Sequence, residues 1–407
     1  MLLVGIDWAE SEHAVCLMDE AGTILKRLRI AHGPVGVSRL HREIAAQQPL
    51  ADQVVVGIER PDGLLVESLL TAGYHLYPFN PKSVDRYRER DRVRGGKSDP
   101  ADAELLARVL LTDRQRHREL LPDSAACQAL RSIAQDDVRA ERDQRRLLNR
   151  LRQALLDVFP QALEAFTLGS TTSLRFLSRW PSAVAAQQAT AAEIAVLLRE
   201  VRHGQPGRAA NQIRAALQAD ALAASATLAA AKASGIRLLA EQLLLLHRQR
   251  RDWEKQLREL LESDRPHPDG EVYLSLPGLD VRLTARVLGR LGDRRERFPT
   301  AASMQCYAAT APLTRASGKM RVVQRRFACN RPLRQALIQW AFCSLQRSAW
   351  AKEFYTSRRD SGQGHQQILR ALANRWLEIL HHLLATGQRY DETIHQRNRQ
   401  HALGFAA

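Results

Sequence analysis

Two short apolar runs, each closed by a carboxylate, constrain this chain more than any other feature. Leu2-Leu3-Val4-Gly5-Ile6 is followed by Asp7, and Val54-Val55-Val56-Gly57-Ile58 by Glu59. Runs this short and this apolar read as strands buried on both faces, which requires a sheet covered by helices. A carboxylate directly after each strand would stand at the C-terminal edge of that sheet, where open α/β sheets place their sites.

The neighbouring segments fit the same sheet. Residues 13–18 and 23–30 flank Asp19-Glu20-Ala21-Gly22, a turn cluster that joins them as a hairpin. Residues 37–46 have helical periodicity, with Val37, Leu40 and Ile44 on one face. Residues 63–70 read as a helix, and 74–79 as a strand stopped by Asn80-Pro81. The order β-β-β-α-β-α-β-α over residues 1–118 predicts a mixed sheet with helices on both faces. It is the element order of the ribonuclease H-like fold, though other α/β folds share it.

Strand signals vanish in 119–265. Leu147, Leu151, Leu155 and Val158 step at helical spacing, and 161–235 is rich in Ala and Ser, with weak helices at 191–201 and 212–228. His203-Gly204-Gln205-Pro206-Gly207 is a break. Ile236, Leu239, Leu243, Leu246, Trp253, Leu257 and Leu260 then keep 3–4 spacing, with Arg250 at one interrupting position. This predicts a coiled coil, formed between two chains or packed inside one. Arg265-Pro266-His267-Pro268-Asp269-Gly270 opens a third, mainly helical unit, 266–407.

Charge narrows the partners. The 407 residues carry 60 Lys+Arg against 44 Asp+Glu, a net +16. That excess points to a polyanion, nucleic acid before a membrane surface. It is densest between Arg290 and Arg334, where 11 Lys/Arg meet 2 Asp/Glu. No run approaches ~18 apolar residues, which excludes a transmembrane helix, and the start lacks the basic region of a signal peptide. The five cysteines show no CxxC pair. That argues against a zinc site or disulfide framework and fits a reducing cytoplasm; a nucleic-acid partner would place the chain with the nucleoid.

Two further carboxylates lie in Lys97-Ser98-Asp99-Pro100-Ala101-Asp102-Ala103. Ser98 as N-cap and Pro100 in the first turn start a helix that carries Asp99 and Asp102 on one face. Four carboxylates on one edge repel each other unless cations lie between them. Hard oxygen donors suit Mg²⁺, and two such ions form the phosphoryl-transfer clamp. Gly5-Ile6-Asp7-Trp8-Ala9, Gly57-Ile58-Glu59-Arg60 and the segment around Asp99 and Asp102 together resemble the Asp-Glu-Asp-Asp pattern of the insertion-sequence-110 family of DNA transposases. The resemblance implies a RuvC-like, ribonuclease H-like N-terminal domain. It also implies that Asp7, Glu59, Asp99 and Asp102 bind divalent metal.

The C-terminal unit carries a second set of motifs. Leu276-Pro277-Gly278-Leu279 between helical runs is a helix-hairpin-helix signature, whose backbone N–H groups around Gly278 can receive a DNA phosphate. Arg297-Phe298, Ala309-Thr310-Ala311-Pro312, Ser317-Gly318 and Arg331-Pro332-Leu333-Arg334-Gln335-Ala336-Leu337 follow in the order of the same family's C-terminal transposase domain. There the resemblance implies a serine nucleophile, Ser317 in this chain, that holds DNA as a phosphoserine. Arg315, Lys319, Arg321, Arg325 and Arg326 supply positive charge around it. Ser361, Tyr307 and Tyr355 are competing nucleophiles. The resemblance further implies a structured guide RNA (a bridge RNA) beside the DNA, and a homo-oligomer, dimer or tetramer. Two other readings stay open: a resolvase-type endonuclease that uses water, and a non-catalytic nucleic-acid-binding coiled-coil protein.

Overall fold

All five residues of Val54–Ile58 and the first five of Leu2–Asp7 are buried, as strands covered on both faces must be. The computed structural model describes residues 1–59, 61, 63–91, 98–219, 224–317, 320–324, 326, 329–394 and 397. Its contacts divide the chain into two compact units, Met1–Pro122 and Asp123–Ala407.

In the first unit β1 (Leu2–Asp7), β2 (Glu12–Met18) and β3 (Ile24–Ala31) form an antiparallel meander. Then follow α1 (Pro34–Gln47), β4 (Val54–Ile58), α2 (Leu64–Thr71), β5 (His75–Pro78), α3 (Pro81–Asp91) and α4 (Asp99–Asp113). The sheet order is β3-β2-β1-β4-β5, with β4 parallel to both β1 and β5. Leu40 and Ile44 of α1 and Leu65 and Leu69 of α2 cover the face carrying Val4, Ile6 and Val56. Val84 of α3 and Leu106 and Leu110 of α4 cover the face carrying Leu3 and Val55. The expected element order is therefore observed, with one addition. Asn80-Pro81 stops β5 as expected and also starts α3, since the N–H groups of Ser83 and Val84 both reach the Asn80 carbonyl, at 2.7 and 3.0 Å.

Two glycines fix the position of α4. A Cβ on Gly5 would lie 1.9 Å from the Ala103 carbonyl oxygen, and one on Gly57 would lie 2.7 Å from the Phe79 ring and 3.2 Å from the Leu106 carbonyl oxygen. The helix backbone thus crosses β1 and β4 where those strands have no side chain. Leu111, near the end of α4, lies against Gly22 of the β2–β3 turn, and Arg114 just beyond reaches the Met1 sulfur at 2.8 Å. Both are at the edge where β1 starts. The first turn of α4 is consequently at the edge where β1 ends.

The second unit is organised by two long helices, α5 (Ala125–Val158) and α11 (Ala226–Glu262). Between them in sequence lie α6 (Gln161–Ala165), α7 (Thr171–Arg179), α8 (Ala183–Gln188), α9 (Ala191–Glu200) and α10 (Pro206–Leu217). The long pair is antiparallel: Lys232 meets Asp157, His247 meets Gln144 and Arg250 meets Asp137. At one end Leu151, Leu155, Ile236 and Leu243 share a core with α6–α10. At the other, Cys127, Leu130, Leu257 and Leu261 join the C-terminal core. Ile236, Leu239, Leu243 and Leu257 of the apolar repeat over 236–260 are thus buried within the chain. Of the two readings of the repeat, packing inside one chain is the one these contacts favour.

The C-terminal helices are α12 (Gly270–Ser275), α13 (Val281–Leu291), α14 (Ala301–Ala308), α15 (Arg331–Ser344), α16 (Ala349–Asp360) and α17 (His365–Thr386). Trp340 and Trp376 stack in their core, and the Trp376 indole N–H donates to Ser344 Oγ at 2.9 Å. This part is not wholly helical: β6 (Leu313–Ser317) and β7 (Met320–Gln324) form an antiparallel hairpin.

Candidate active site

Side chains alternate along a strand. Leu3 and Val55 face α3 and α4, so Asp7, two positions beyond Gly5 on β1, belongs to that face at its C-terminal edge, and Glu59 follows directly after the last residue of β4 at the same edge. Asp99 opens α4 and Asp102 lies in its first turn, where the Asp102 N–H reaches the Ser98 carbonyl at 2.9 Å. The fold therefore brings Asp7, Glu59, Asp99 and Asp102 to one edge of the sheet.

Asp102 is 2% exposed. Its charge is met by Arg88 of α3, whose Nε donates to Asp102 Oδ1 at 3.1 Å while Nη1 donates to Asp85 Oδ1 at 2.6 Å. Sequence reasoning missed Arg88. Its spacing from Asp85 is visible on one helix, but its contact with Asp102 arises only when α3 and α4 pack. The turn after Asp7 has its own pin. His13, fully buried, accepts the Ala9 N–H on Nδ1 at 3.2 Å and faces His32 Nδ1 through Nε2 at 3.0 Å. Burial, and then His32, hold its pKa below the usual imidazole value.

Ser317 ends β6 and pairs with Met320, which puts it at the tip of the hairpin, exposed. Arg321 pairs with Ala316 and belongs to the opposite face of the ribbon. Among the described residues no base is hydrogen-bonded to Ser317. Arg326 turns inward, with Nη2 3.6 Å from Cys306 Sγ. Lys319, Arg325 and the side chain of Arg315 lie outside the described residues. Gly278, at φ +84°, sits in the α12–α13 turn, and a Cβ there would lie 2.6 Å from the Ser344 backbone nitrogen. Close packing on α15 accounts for that glycine.

The competing hydroxyls are engaged. Ser361 Oγ donates to the Ser357 carbonyl at 2.8 Å, and the Tyr307 hydroxyl accepts from Asn330 Nδ2 at 2.9 Å. Tyr355 shares a 2.7 Å hydrogen bond with His365 Nδ1, the one competitor here with a base beside it.

Among the described residues, one trio of metal-ligating side chains has donor atoms within 4.8 Å of one another: Cys127, His267 and Asp293. The four carboxylates at the sheet edge are less tightly gathered. Hydrogen bonding argues against a metal in the trio. His267 Nδ1 accepts the Asp269 N–H at 3.2 Å, so Nε2 carries the proton toward Asp293 Oδ2, also at 3.2 Å. A metal on Nε2 would leave two N–H groups facing each other at Nδ1. Burial, helped by Asp123 and Asp293, pushes the Cys127 thiol up to about 12.

Residues 4–160 match the DEDD transposase family of IS110, and residues 271–356 match the transposase family of IS116, IS110 and IS902. The chain is 36% identical to the mini-circle putative transposase for IS117 of Streptomyces coelicolor over 95% of each protein. This chain belongs to the IS110 family of transposases. It is also 27% identical to the uncharacterized 42 kDa protein of insertion element IS900 from Mycobacterium paratuberculosis, over 92% of this chain and 94% of that protein. A putative transposase of Sinorhizobium fredii shares 34% identity over 49% of this chain. As an IS110-family transposase the chain is a DNA-transposing enzyme, and the DEDD type implies use of divalent metal. The first match spans all four sheet-edge carboxylates, and the second spans the hairpin of Ser317. No described helix of this transposase is long and apolar enough to cross a membrane.

Proposed function

We propose that this transposase cuts and rejoins DNA with two sets of groups: Asp7, Glu59, Asp99 and Asp102, which hold two Mg²⁺ ions, and Ser317, which attacks the phosphodiester. The single observation that carries the reading is the convergence of the four acidic residues on one edge of the sheet, with α4 seated against Gly5 and Gly57. The sheet order β3-β2-β1-β4-β5 supports a ribonuclease H-like, RuvC-like domain. The donor set fits the metal, since all four groups offer hard carboxylate oxygen. Bound there, a divalent ion draws charge from the phosphodiester and favours loss of a proton by the attacking oxygen.

The remaining steps belong to the chain. Arg88 holds the buried Asp102 carboxylate in place through its Nε, 3.1 Å from Oδ1. The hairpin tip presents the Ser317 hydroxyl to solvent, where a duplex can reach it. Attack forms an Oγ–P bond and breaks a P–O bond of the DNA strand; Oγ gives up one proton and the leaving DNA oxygen takes one up, so the step is proton-neutral. A second DNA hydroxyl reverses the step on the new strand. The linkage conserves the phosphodiester energy, so rejoining needs no energy cofactor. The family resemblance extends the reading to guidance by an element-encoded bridge RNA and to a dimer or tetramer.

The test is strand cleavage on an element-end duplex. Alanine at any one of the four carboxylates should abolish cutting and spare DNA binding. Wild-type cutting that persists in excess chelator overturns the metal reading.

A further inference from the structure

Helices α5, α13 and α15 enclose a cleft whose lining includes Arg131, Arg139, Arg142, Arg145, Arg286 and Arg290. Several of these cations are already matched. Arg131 meets Asp123, Arg139 meets Asp136 at 2.9 Å, Arg145 meets Glu141 at 3.0 Å, and Arg286 meets Glu141 at 2.7 Å and Asp137 at 3.1 Å. Arg142 and Arg290 have no carboxylate partner among the described residues. Arg290 is half-buried, and the charged groups acting on it are mainly cations. Burial first, then Arg131 and Arg139, hold its guanidinium below the ordinary value. A half-buried guanidinium among like charges calls for an anion.

The shape of the charge says which anion. Arg131 to Arg145 spans about 21 Å of α5, the rise of about six base-pair steps. Gln135, Gln335 and Gln339 add neutral hydrogen-bonding groups to the walls, and the lining holds no aromatic ring. Single strands are gripped by stacking their bases on aromatic side chains; a cleft of arginine and glutamine, whose one lining carboxylate, Glu141, is taken up by Arg145 and Arg286, suits backbone phosphates instead. We propose that this cleft holds the sugar–phosphate backbone of duplex DNA, with Arg142 and Arg290 as the residues that pair with phosphates. Both are positioning residues, far in sequence from the acidic set and from Ser317. The inference rests on the chain being a DNA transposase and is independent of which residues do its chemistry.

The test is salt-dependent binding of a random-sequence duplex of about 30 base pairs to the full chain. Each phosphate contact contributes about 0.9 to the slope of log K against log salt. Arg142→Gln with Arg290→Gln should lower that slope by about 2 for every duplex sequence tried. Thermal unfolding should stay at or above the wild-type temperature, because a repelled cation has been removed. Alanine at the four carboxylates should leave the slope unchanged, which separates this proposal from the catalytic one. An unchanged slope in the double variant overturns the proposal. So does a loss confined to a structured RNA hairpin with duplex DNA unaffected.

Discussion

Gly5 carries a structural demand that its place inside an apolar strand states only in part. The α4 backbone lies where its Cβ would be, 1.9 Å from the Ala103 carbonyl oxygen. Neither atom is on a flexible side chain, so Gly5→Ala must move the helix that carries Asp99 and Asp102. Overpacking of this kind costs about 1–3 kcal/mol. The expected result is a lower denaturation midpoint together with loss of cleavage; a variant as stable and active as wild type contradicts it. The same unit has a pH signature. His13, His41 and His117 are all held below the ordinary imidazole value, chiefly by burial. Each stays neutral in the fold, while the unfolded chain takes up protons near pH ~6.5. The folded state therefore loses stability as pH falls through that value toward the lower folded ones. Denaturation midpoints should drop between about pH 7 and pH 5, and a midpoint that rises over this window contradicts the assignment. Asp7, Glu59, Asp99 and Asp102 are visible in the sequence because each has a local context, a strand end or a helix start. Arg88 and His13 are not, because their partners come from other elements.

The α5–α11 pair shows what periodicity can and cannot say. Its 3–4 spacing marks an amphipathic helix, yet nothing in an apolar stripe tells whether the covering surface belongs to the same chain. Arg250 interrupts the stripe because its partner is internal. Buried Asp137 accepts from Arg250 Nε at 2.7 Å and from Arg286 Nη2 at 3.1 Å, with Arg282 3.6 Å away. Removing one member of a buried ion pair costs about 3–5 kcal/mol. Asp137→Ala should destabilise the second unit by that amount in urea titrations, and a loss below about 1 kcal/mol would show the network to be inconsequential. Leu243→Glu and Leu257→Glu should unfold the helix pair rather than release folded monomers, a distinction that circular dichroism with light scattering reads directly. The β6–β7 hairpin escaped notice for a different reason. Its strands are short and mostly exposed, so no alternation of apolar residues announces them.

At the scale of the whole chain, the residues proposed for the chemistry fall in two compact units: the carboxylates in Met1–Pro122 and Ser317 in Asp123–Ala407. The strands and most helices of the first unit were legible, since buried strands and capped helices encode themselves locally, while α3 and the contacts it makes were not. The second was legible as motifs in order, while its packing depends on tertiary choices that spacing leaves open. The central claim is that Ser317 supplies the attacking oxygen in a reaction that needs divalent metal. Trapping the full-length wild type on a labelled suicide duplex and mapping the modified peptide tests this most directly. The account predicts a phosphoserine at Ser317 that forms only with divalent metal and is lost in Ser317→Ala and in Asp102→Ala. An adduct at Tyr355, Ser361 or Tyr307, or full recombination by Ser317→Ala, would contradict it.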